Sequence, residues 1–386
     1  MRMICKRMDT IRYGIIGIKG VGGHHLRQAM HHDTIELTAL ADIDASAVEQ
    51  QASDLGVRSF TDYRALLDAD VVDAVSIATP HNLHGTIGLD CLEAGTHIFV
   101  EKPLANRVSE ADAMLKAAHE RGLKICVGHQ YRTYQVSQRM KHLIDTGTIG
   151  NLQRLLWTWL EFRPAGYYTR DVWRTTWEKA GGGVLMNQTS HDLDLICWLA
   201  GQPVQVSAML GNQLHPHMEV EDIACATVRF ANGALGSFQG SVNQPSGYSV
   251  RQLAGDRGVM VIQDVRSLTG DLDDQILLGT YEDPLPEMTT KLTQIAAQPE
   301  IAWETLLPTE RSDDEPSGHT LLLDSFIESI LTDGTPLVTG ESARVTVEFI
   351  NAIILSAMKK KTVDLPLDPA EYDDLFEALV CGEQMV

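Results

Sequence analysis

A β-rich run that stops in a cluster of glycines constrains this chain more than any other feature. Ile11 to Ile16 passes into Gly14-Ile-Ile-Gly17-Ile-Lys-Gly20-Val-Gly22-Gly23, and a helix-like stretch from His24 to His31 follows. Glu36 to Ala41 is then a second buried-strand candidate, ending on Asp42. Strand, glycine turn, helix, strand and acid is the order of a mononucleotide-binding βαβ unit. Glycines let the backbone approach a pyrophosphate, whose charge rests on the helix N-terminus. The carboxylate after the second strand can accept hydrogen bonds from a ribose 2′-hydroxyl. Read as G-x-G-x-x-G, the slots fall on Gly17, Lys19 and Gly22, so a lysine stands where the middle glycine is expected. Its side chain must turn away or set its ammonium beside a phosphate, and Gly20 and Gly23 can shift the turn by one residue. Gly17, Lys19, Gly20, Val21, Gly22 and Asp42 are the cofactor-facing candidates here. Asp42 favours NAD, because a 2′-phosphate would face a carboxylate; Lys19 is the nearby feature that argues for NADP. A tight strand–helix turn with no ligand is the alternative reading.

Strand and helix signals keep alternating through the first half. Val71 to Ile77 runs into Ala78-Thr79-Pro80-His81-Asn82-Leu83-His84, His97 to Val100 into Glu101-Lys102-Pro103, and Lys124 to Val127 into Gly128-His-Gln130-Tyr-Arg132. Ligands of open parallel sheets bind beyond the carboxyl ends of the strands, so these three polar clusters are expected to line one crevice. Thr79, Pro80, Asn82, His84, Glu101, Lys102 and Gln130 join the cofactor candidates.

The pattern changes after about Gly150. Leu152 to Phe162 alternates, Val204–Met209, Ala224–Phe230 and Ala234–Gly240 read as strands, and Asn232-Gly233 reads as a hairpin turn; these are antiparallel signals. Between them, the run from Gly181 to Leu199 has apolar residues at helical spacing, and on one helix Asn187, His191 and Asp194 would point roughly the same way. Tyr281 to Pro316 reads as an irregular excursion, and Ser342 to Met358 as an amphipathic helix packed across the sheet. The expected fold is α/β, with an N-terminal Rossmann domain at 1–128. A C-terminal α/β domain at 129–386, with a largely antiparallel open sheet, would bind substrate and oligomerise.

The composition narrows the function classes. With 52 acidic and 31 basic residues the formal net charge is −21, which repels phosphate backbones and anionic lipid heads, so neither nucleic acid nor membrane is an expected partner. Acidic runs such as Arg311–Glu315 and Glu371–Asp374 fit a solvated surface. No apolar run approaches the ~20 residues that span a bilayer, and Met1 to Thr10 does not read as a secretory signal, which points to the cytoplasm. Cys5, Cys91, Cys126, Cys197, Cys225 and Cys381 lie far apart, against a disulfide framework or a cysteine-built zinc site. His24, His25, His31 and His32 match no standard ligand spacing, and no metal site is expected.

Glu101-Lys102-Pro103 and the Gly181–Asp194 stretch resemble the Gfo/Idh/MocA family, named for glucose–fructose oxidoreductase, inositol dehydrogenase and a rhizopine-catabolism protein. The resemblance extends over nearly the whole chain. It includes Thr79-Pro80 with His84, Arg132, Trp173-Arg174, the triple glycine, His191, Asp194, Gly334-Thr-Pro336, Gly340 and Ser356. It implies NAD(P)-dependent hydride transfer between a nicotinamide and a hydroxyl carbon of a sugar, cyclitol or glycoside, by a homodimer or homotetramer. A frequent aspartate of the family is Asn187 here, and an amide cannot take a proton. His191, with an ordinary pKa of ~6.5, is the better base. Lys102 would hydrogen-bond the reacting oxygen and stabilise its developing charge. Lys102, Arg132, Tyr168, Trp173, Arg174, Asn187 and His191 are the substrate-binding candidates; Asp194 reads equally as orienting the histidine or as capping or pairing elsewhere. The aromatic group Tyr167, Tyr168, Trp173 and Trp177 reads equally as a sugar-stacking wall or an anchor. Rival readings are an NAD-dependent glycosidase working by transient oxidation, a non-catalytic NAD or sugar sensor, and a metal-dependent hydrolase using His191, Asp192 and Asp194.

Overall fold

The computed structural model describes residues 10–245, 247–265, 275–292, 298, 300–307 and 318–383. Cys5, most of the N-terminal segment and the run Arg311–Glu315 lie outside the described residues. The chain forms two compact units, Met1–Gln130 with Pro316–Val347, and Tyr131–Glu315 with Glu348–Val386.

In the first unit, strands β1 (Ile11–Ile16), β2 (Ile35–Ala41), β3 (Arg58–Phe60), β4 (Ala74–Ile77), β5 (His97–Val100) and β6 (Ile125–Val127) form one parallel sheet in the order β3-β2-β1-β4-β5-β6. This is the doubly wound order whose strand-end switch point binds dinucleotides. Helices α1 (Val21–Met30), α2 (Ala45–Leu55), α3 (Tyr63–Asp68), α4 (His84–Glu93) and α5 (Val108–Arg121) connect the strands. The central strands are buried along their length, which is why they read as unbroken apolar runs rather than alternating ones. Residues 71–73 precede β4 instead of belonging to it.

Placing 316–347 in the second domain is not what the contacts show. Leu322, Leu323, Phe326 and Ile327, on α11 (His319–Thr332), pack into the first unit's core together with Val338, Ala343 and Val347. Apolar periodicity reports that a helix has a buried face, not which sheet receives it.

The second unit holds α6 (Gln135–Asp145), β7 (Leu152–Leu160), α7 (Ala165–Arg170), α8 (Trp177–Ala180), α9 (Ser190–Ala200), β8 (Pro203–Gly211), β9 (Ile223–Phe230) and β10 (Leu235–Ser241). Then come β11 (Tyr248–Gly255), β12 (Gly258–Val265), β13 (Ile276–Tyr281), α10 (Leu285–Lys291), β14 (Ile301–Leu306), β15 (Val363–Asp364) and α13 (Pro369–Val380). Helix α12 (Gly340–Lys359) begins in one unit and ends in the other. Among the described residues, nine strands form one open sheet in the order β14-β13-β12-β11-β7-β10-β9-β8-β15, antiparallel throughout except for the β7–β10 pair. The β9–β10 hairpin closes at Asn232-Gly233, where Gly233 has φ +88°. The expected irregular excursion is corrected: 281–307 contains α10 and β14. Strand β14 carries five exposed residues out of six, so it offers no in–out alternation to read.

Candidate functional site

In the first unit, β1 ends where Gly17 turns the chain at φ +88°, and Gly20 begins α1 at φ +55°. A Cβ on Gly17 would lie 2.7 Å from the Ala78 carbonyl oxygen, and one on Gly22 would lie 1.8 Å from that of Gly17. Both positions therefore exclude a side chain, and the close approach brings the α1 N-terminus against the strand ends. No side chain caps α1; Gly22 N donates to the Lys19 carbonyl oxygen at 3.0 Å, and the uncapped first turn suits an anion. Lys19 turns away from that opening: its ammonium pairs with Asp44 at 2.5 Å and holds that carboxyl down at about 2. Asp42, half-buried at the end of β2, accepts from Ile18 N at 3.0 Å and Asp44 N at 2.9 Å. Each oxygen keeps a lone pair for a further donor.

The turns after β4 and β5 are tied together by His84. Its ring is fully buried, with Nε2 2.9 Å from the Thr79 carbonyl oxygen and Nδ1 2.7 Å from that of Pro103. Burial lowers its pKa against the two carbonyl contacts. His84 thus positions the Thr79 and Lys102 turns and is not itself a ligand-facing group. Thr79 Oγ1 is buried and has no hydrogen-bond partner among the described residues. Asn82 is half-buried in the 3₁₀ turn His81–Leu83, Lys102 is half-buried two residues past the end of β5, and Gln130 opens the turn after β6. Glu101 faces inward: it is 7 % exposed, with Oε1 2.8 Å from His25 Nε2 and 2.9 Å from His319 Nε2. Burial would raise its pKa, but the two imidazoles outweigh that and hold it well below the usual carboxylate range. The Glu101 carboxylate is thus engaged inside the first unit.

In the second unit, the run after the triple glycine is broken. A π-helical turn, Val184–Gln188, carries Asn187, and α9 starts afresh at Ser190, so Asn187, His191 and Asp194 do not share one helix. Glu221 makes the turn possible by accepting from Gly183 N and Leu185 N, both at 2.9 Å. Asn187 Oδ1 accepts from Arg174 Nη1 at 2.8 Å and Gln188 Nε2 at 3.1 Å. Gln188 also donates to the Tyr167 hydroxyl at 2.9 Å, and Arg174 lies over the rings of Trp173 and Tyr167. Tyr167, then, belongs to the polar wall, while Tyr168 is 3 % exposed and packed edge-on against His215. Trp177 is buried as an anchor. The His191 ring is stacked on Tyr131, with centroids 4.4 Å apart and planes at 18°.

Two arginine pairs revise the remaining expectations. Asp194 is fully buried and holds Arg132 through Nε at 2.7 Å and Nη2 at 2.6 Å. Arg132 is 6 % exposed, so it pins α9 rather than presenting its fork to substrate, and Asp194 serves as its carboxylate partner. Asp192 accepts from Trp157 Nε1 at 2.8 Å and Arg251 Nη2 at 3.2 Å. Both acids of the hydrolase reading are thus engaged elsewhere.

Comparison with known proteins decides the family. Residues 11–129 match the oxidoreductase family with an NAD-binding Rossmann fold, and residues 137–261 match the GFO/IDH/MocA C-terminal domain. The chain belongs to the GFO/IDH/MocA family. Among similar proteins is a myo-inositol 2-dehydrogenase of Thermotoga maritima, 26% identical over 272 residues that cover 69% of this chain and 79% of that one. A Bacillus subtilis scyllo-inositol 2-dehydrogenase (NAD(+)) is 26% identical over 350 residues, 88% of this chain and 91% of its own. The WlbA dehydrogenase of Bordetella pertussis, solved with NADH and UDP-GlcNAcA, superposes with a TM-score of 0.77 at 27% identity, covering 93% of this chain and all of that one.

As a GFO/IDH/MocA oxidoreductase, the protein uses NAD, and the first unit fits that cofactor. The uncapped α1 N-terminus, the glycine cradle and the unpartnered Thr79 hydroxyl stand at strand ends, with the Asp42 carboxylate beside them. Three features of this oxidoreductase escaped sequence reasoning. Strands β11 and β12 had a usable signal, since Gly255-Asp-Arg-Gly258 joins two β-rich runs. Gln188 and Tyr131 gave none, because only tertiary packing joins Gln188 to Tyr167 and stacks Tyr131 on His191.

Glu221 gives this half of the site a pH dependence. Burial pushes its carboxyl up to about 7 against the two amide bonds that favour ionisation. A raised pKa favours the folded state fully below the unfolded value of ~4.5; that contribution is lost as pH rises through about 7. The unfolding midpoint of Glu221→Gln relative to the parent should therefore rise between pH 5 and pH 8. A pH-independent difference would show that Glu221 does not titrate in this range.

Proposed function

We propose that this oxidoreductase moves a hydride between NAD and a hydroxyl carbon of a polyhydroxylated small molecule, a sugar, cyclitol or glycoside. The observation that carries the reading is that one chain holds both an NAD-fitted strand-end cradle and a unit whose π-turn builds a polar, aromatic wall around Asn187. When bound, the nicotinamide accepts or supplies the hydride. His191 of the second unit takes the hydroxyl proton, and Lys102, at the strand ends of the first unit, is the donor that stabilises developing negative charge. Because Arg174 and Gln188 occupy the Asn187 oxygen, its NH₂ is the side left to orient a substrate hydroxyl. The Trp173–Arg174–Tyr167 wall gives a sugar face both apolar surface and donors.

NAD is preferred over NADP. Asp42 and Asp44 place two carboxylates beyond β2, and the Lys19 ammonium is spent on the second of them. Asp42→Ala should weaken NAD binding by roughly 10- to 100-fold, the loss of a charged hydrogen-bond acceptor, and weaken NADP binding much less. Equal losses for both cofactors would remove Asp42 from the ribose. The activity is tested with a panel of sugars, cyclitols and glycosides with NAD and NADP, followed by absorbance of the reduced nicotinamide. Reduction with at least one is expected; none with any, despite cofactor binding, would overturn the assignment. Release of an aglycone without net reduction would instead identify the transient-oxidation glycosidase.

Among the described residues, no helix is long and apolar enough to cross a membrane. A cytoplasmic location and assembly as a homodimer or homotetramer complete the proposal. The open sheet of the second unit supports assembly, because β9 alternates buried and exposed positions and Met209 and Leu235 are 80 % and 50 % exposed. Light scattering of the purified protein checks the oligomer.

A further inference from the structure

The inward-facing side of the Lys102 turn holds a group of ligands that hydride transfer does not use. His25 Nε2 and His319 Nε2 lie 2.8 Å and 2.9 Å from the same oxygen of Glu101, and the three ligand atoms all fall within 4.8 Å of one another. His319 Nε2 is close to the carboxylate yet off the line that a hydrogen bond needs, and it has no other hydrogen-bond partner among the described residues. Ligand atoms bound at ~2.0–2.2 Å around a zinc ion stand roughly 3–3.5 Å apart, so an ion would need only a few tenths of an ångström of opening.

The surroundings resemble an outer ligand shell. The other nitrogen of His25 is joined to Ser76 Oγ at 2.9 Å, and Ser76 Oγ to the buried Tyr13 hydroxyl at 2.7 Å. Such a bond on the second imidazole nitrogen fixes both tautomer and ring orientation in metal-ligating histidines. The His25 ring is further held against Phe99, with centroids 4.9 Å apart. One side is less covered than the others. His319 is the least covered of the three at 14 %, and it abuts His24, which lines a cleft of about 620 Å³ with His31, His32 and Asp324.

We propose that His25, Glu101 and His319 bind one divalent first-row transition ion of the zinc type. Two imidazoles and one carboxylate suit such an ion better than magnesium or calcium, which prefer all-oxygen shells. The ion joins α1, the end of β5 and α11, and because Glu101 directly precedes Lys102 its role is to hold that turn in place. It takes no part in the redox chemistry.

The test is zinc binding by untagged full-length protein, first stripped with a chelator. Isothermal titration with Zn²⁺ and elemental analysis after desalting should give one ion per chain, and zinc should raise the thermal unfolding midpoint. His319→Ala and His25→Gln should each weaken binding by at least 10-fold, with folding verified by circular dichroism. The paired variant His31→Ala/His32→Ala, which alters only the cleft, should bind as the parent does. The assignment is overturned if the parent retains no stoichiometric zinc, or if His319→Ala, shown to be folded, binds as tightly as the parent. Loss confined to the cleft variant would overturn it equally, by placing the ion on the surface histidines.

Discussion

Replacing His191 with alanine is expected to lower turnover by about 10²–10⁴, the usual worth of a positioned general base, with NAD affinity within a few-fold of the parent. The expectation rests on more than residue type. His191 sits in the first turn of α9 and is 7 % exposed, and its ring is stacked on Tyr131 at 4.4 Å, which limits the directions in which its nitrogens can point. Asp194, three residues on, is paired with Arg132 through two hydrogen bonds. Tyr131→Ala should therefore lower turnover by a smaller factor, without moving the cofactor dissociation constant. Steady-state kinetics with the best substrate of the panel, together with fluorescence titration of NADH, separates the two quantities. If His191→Ala keeps the parent's turnover, the proton passes to another group, and Lys102 becomes the first candidate.

The second large effect is on stability. Asp194→Ala leaves the Arg132 guanidinium buried with its carboxylate gone, and breaking a buried pair from one side costs about 3–5 kcal/mol. The loss is expected as a marked drop in the urea midpoint. Replacing both partners, Arg132→Met with Asp194→Leu, removes the stranded charge and should recover most of it. A single variant that unfolds like the parent would show that Arg132 is not held structurally, and would return it to the substrate candidates.

The sequence carried five of the first unit's six strands, because parallel strands buried on both faces appear as apolar runs and glycines mark their ends; the three-residue β3 and the returning stretch 316–347 left no such mark. It also marked Lys102, Asn187 and His191 through the motifs around them. It misjudged what depends on an inserted residue or a distant partner. The spacing of Asn187, His191 and Asp194 satisfies a continuous helix, and nothing local announces the π-turn that separates the first from the other two. Arg132 and Tyr168 look ligand-ready in a linear reading, but burial assigns one to Asp194 and the other to His215. His25 is the converse case. One of two adjacent histidines on a helix, it looks solvated until Glu101 and His319, 76 and 294 positions away in the chain, are brought against it.

The return of residues 316–347 to the first unit bears on how the protein is made. With Gln130 on the ribosome's exit side, the sheet's strands have all been synthesised, yet Leu322, Phe326, Val338 and Val347 are still missing from its core. At ~5–20 residues per second, the intervening stretch takes on the order of 10–40 s to emerge. During that interval the nascent sheet carries an uncovered apolar face, the kind of surface that chaperones recognise. A fragment ending at residue 128 would keep that face permanently, and should be recovered as aggregate rather than as a free-standing nucleotide-binding domain.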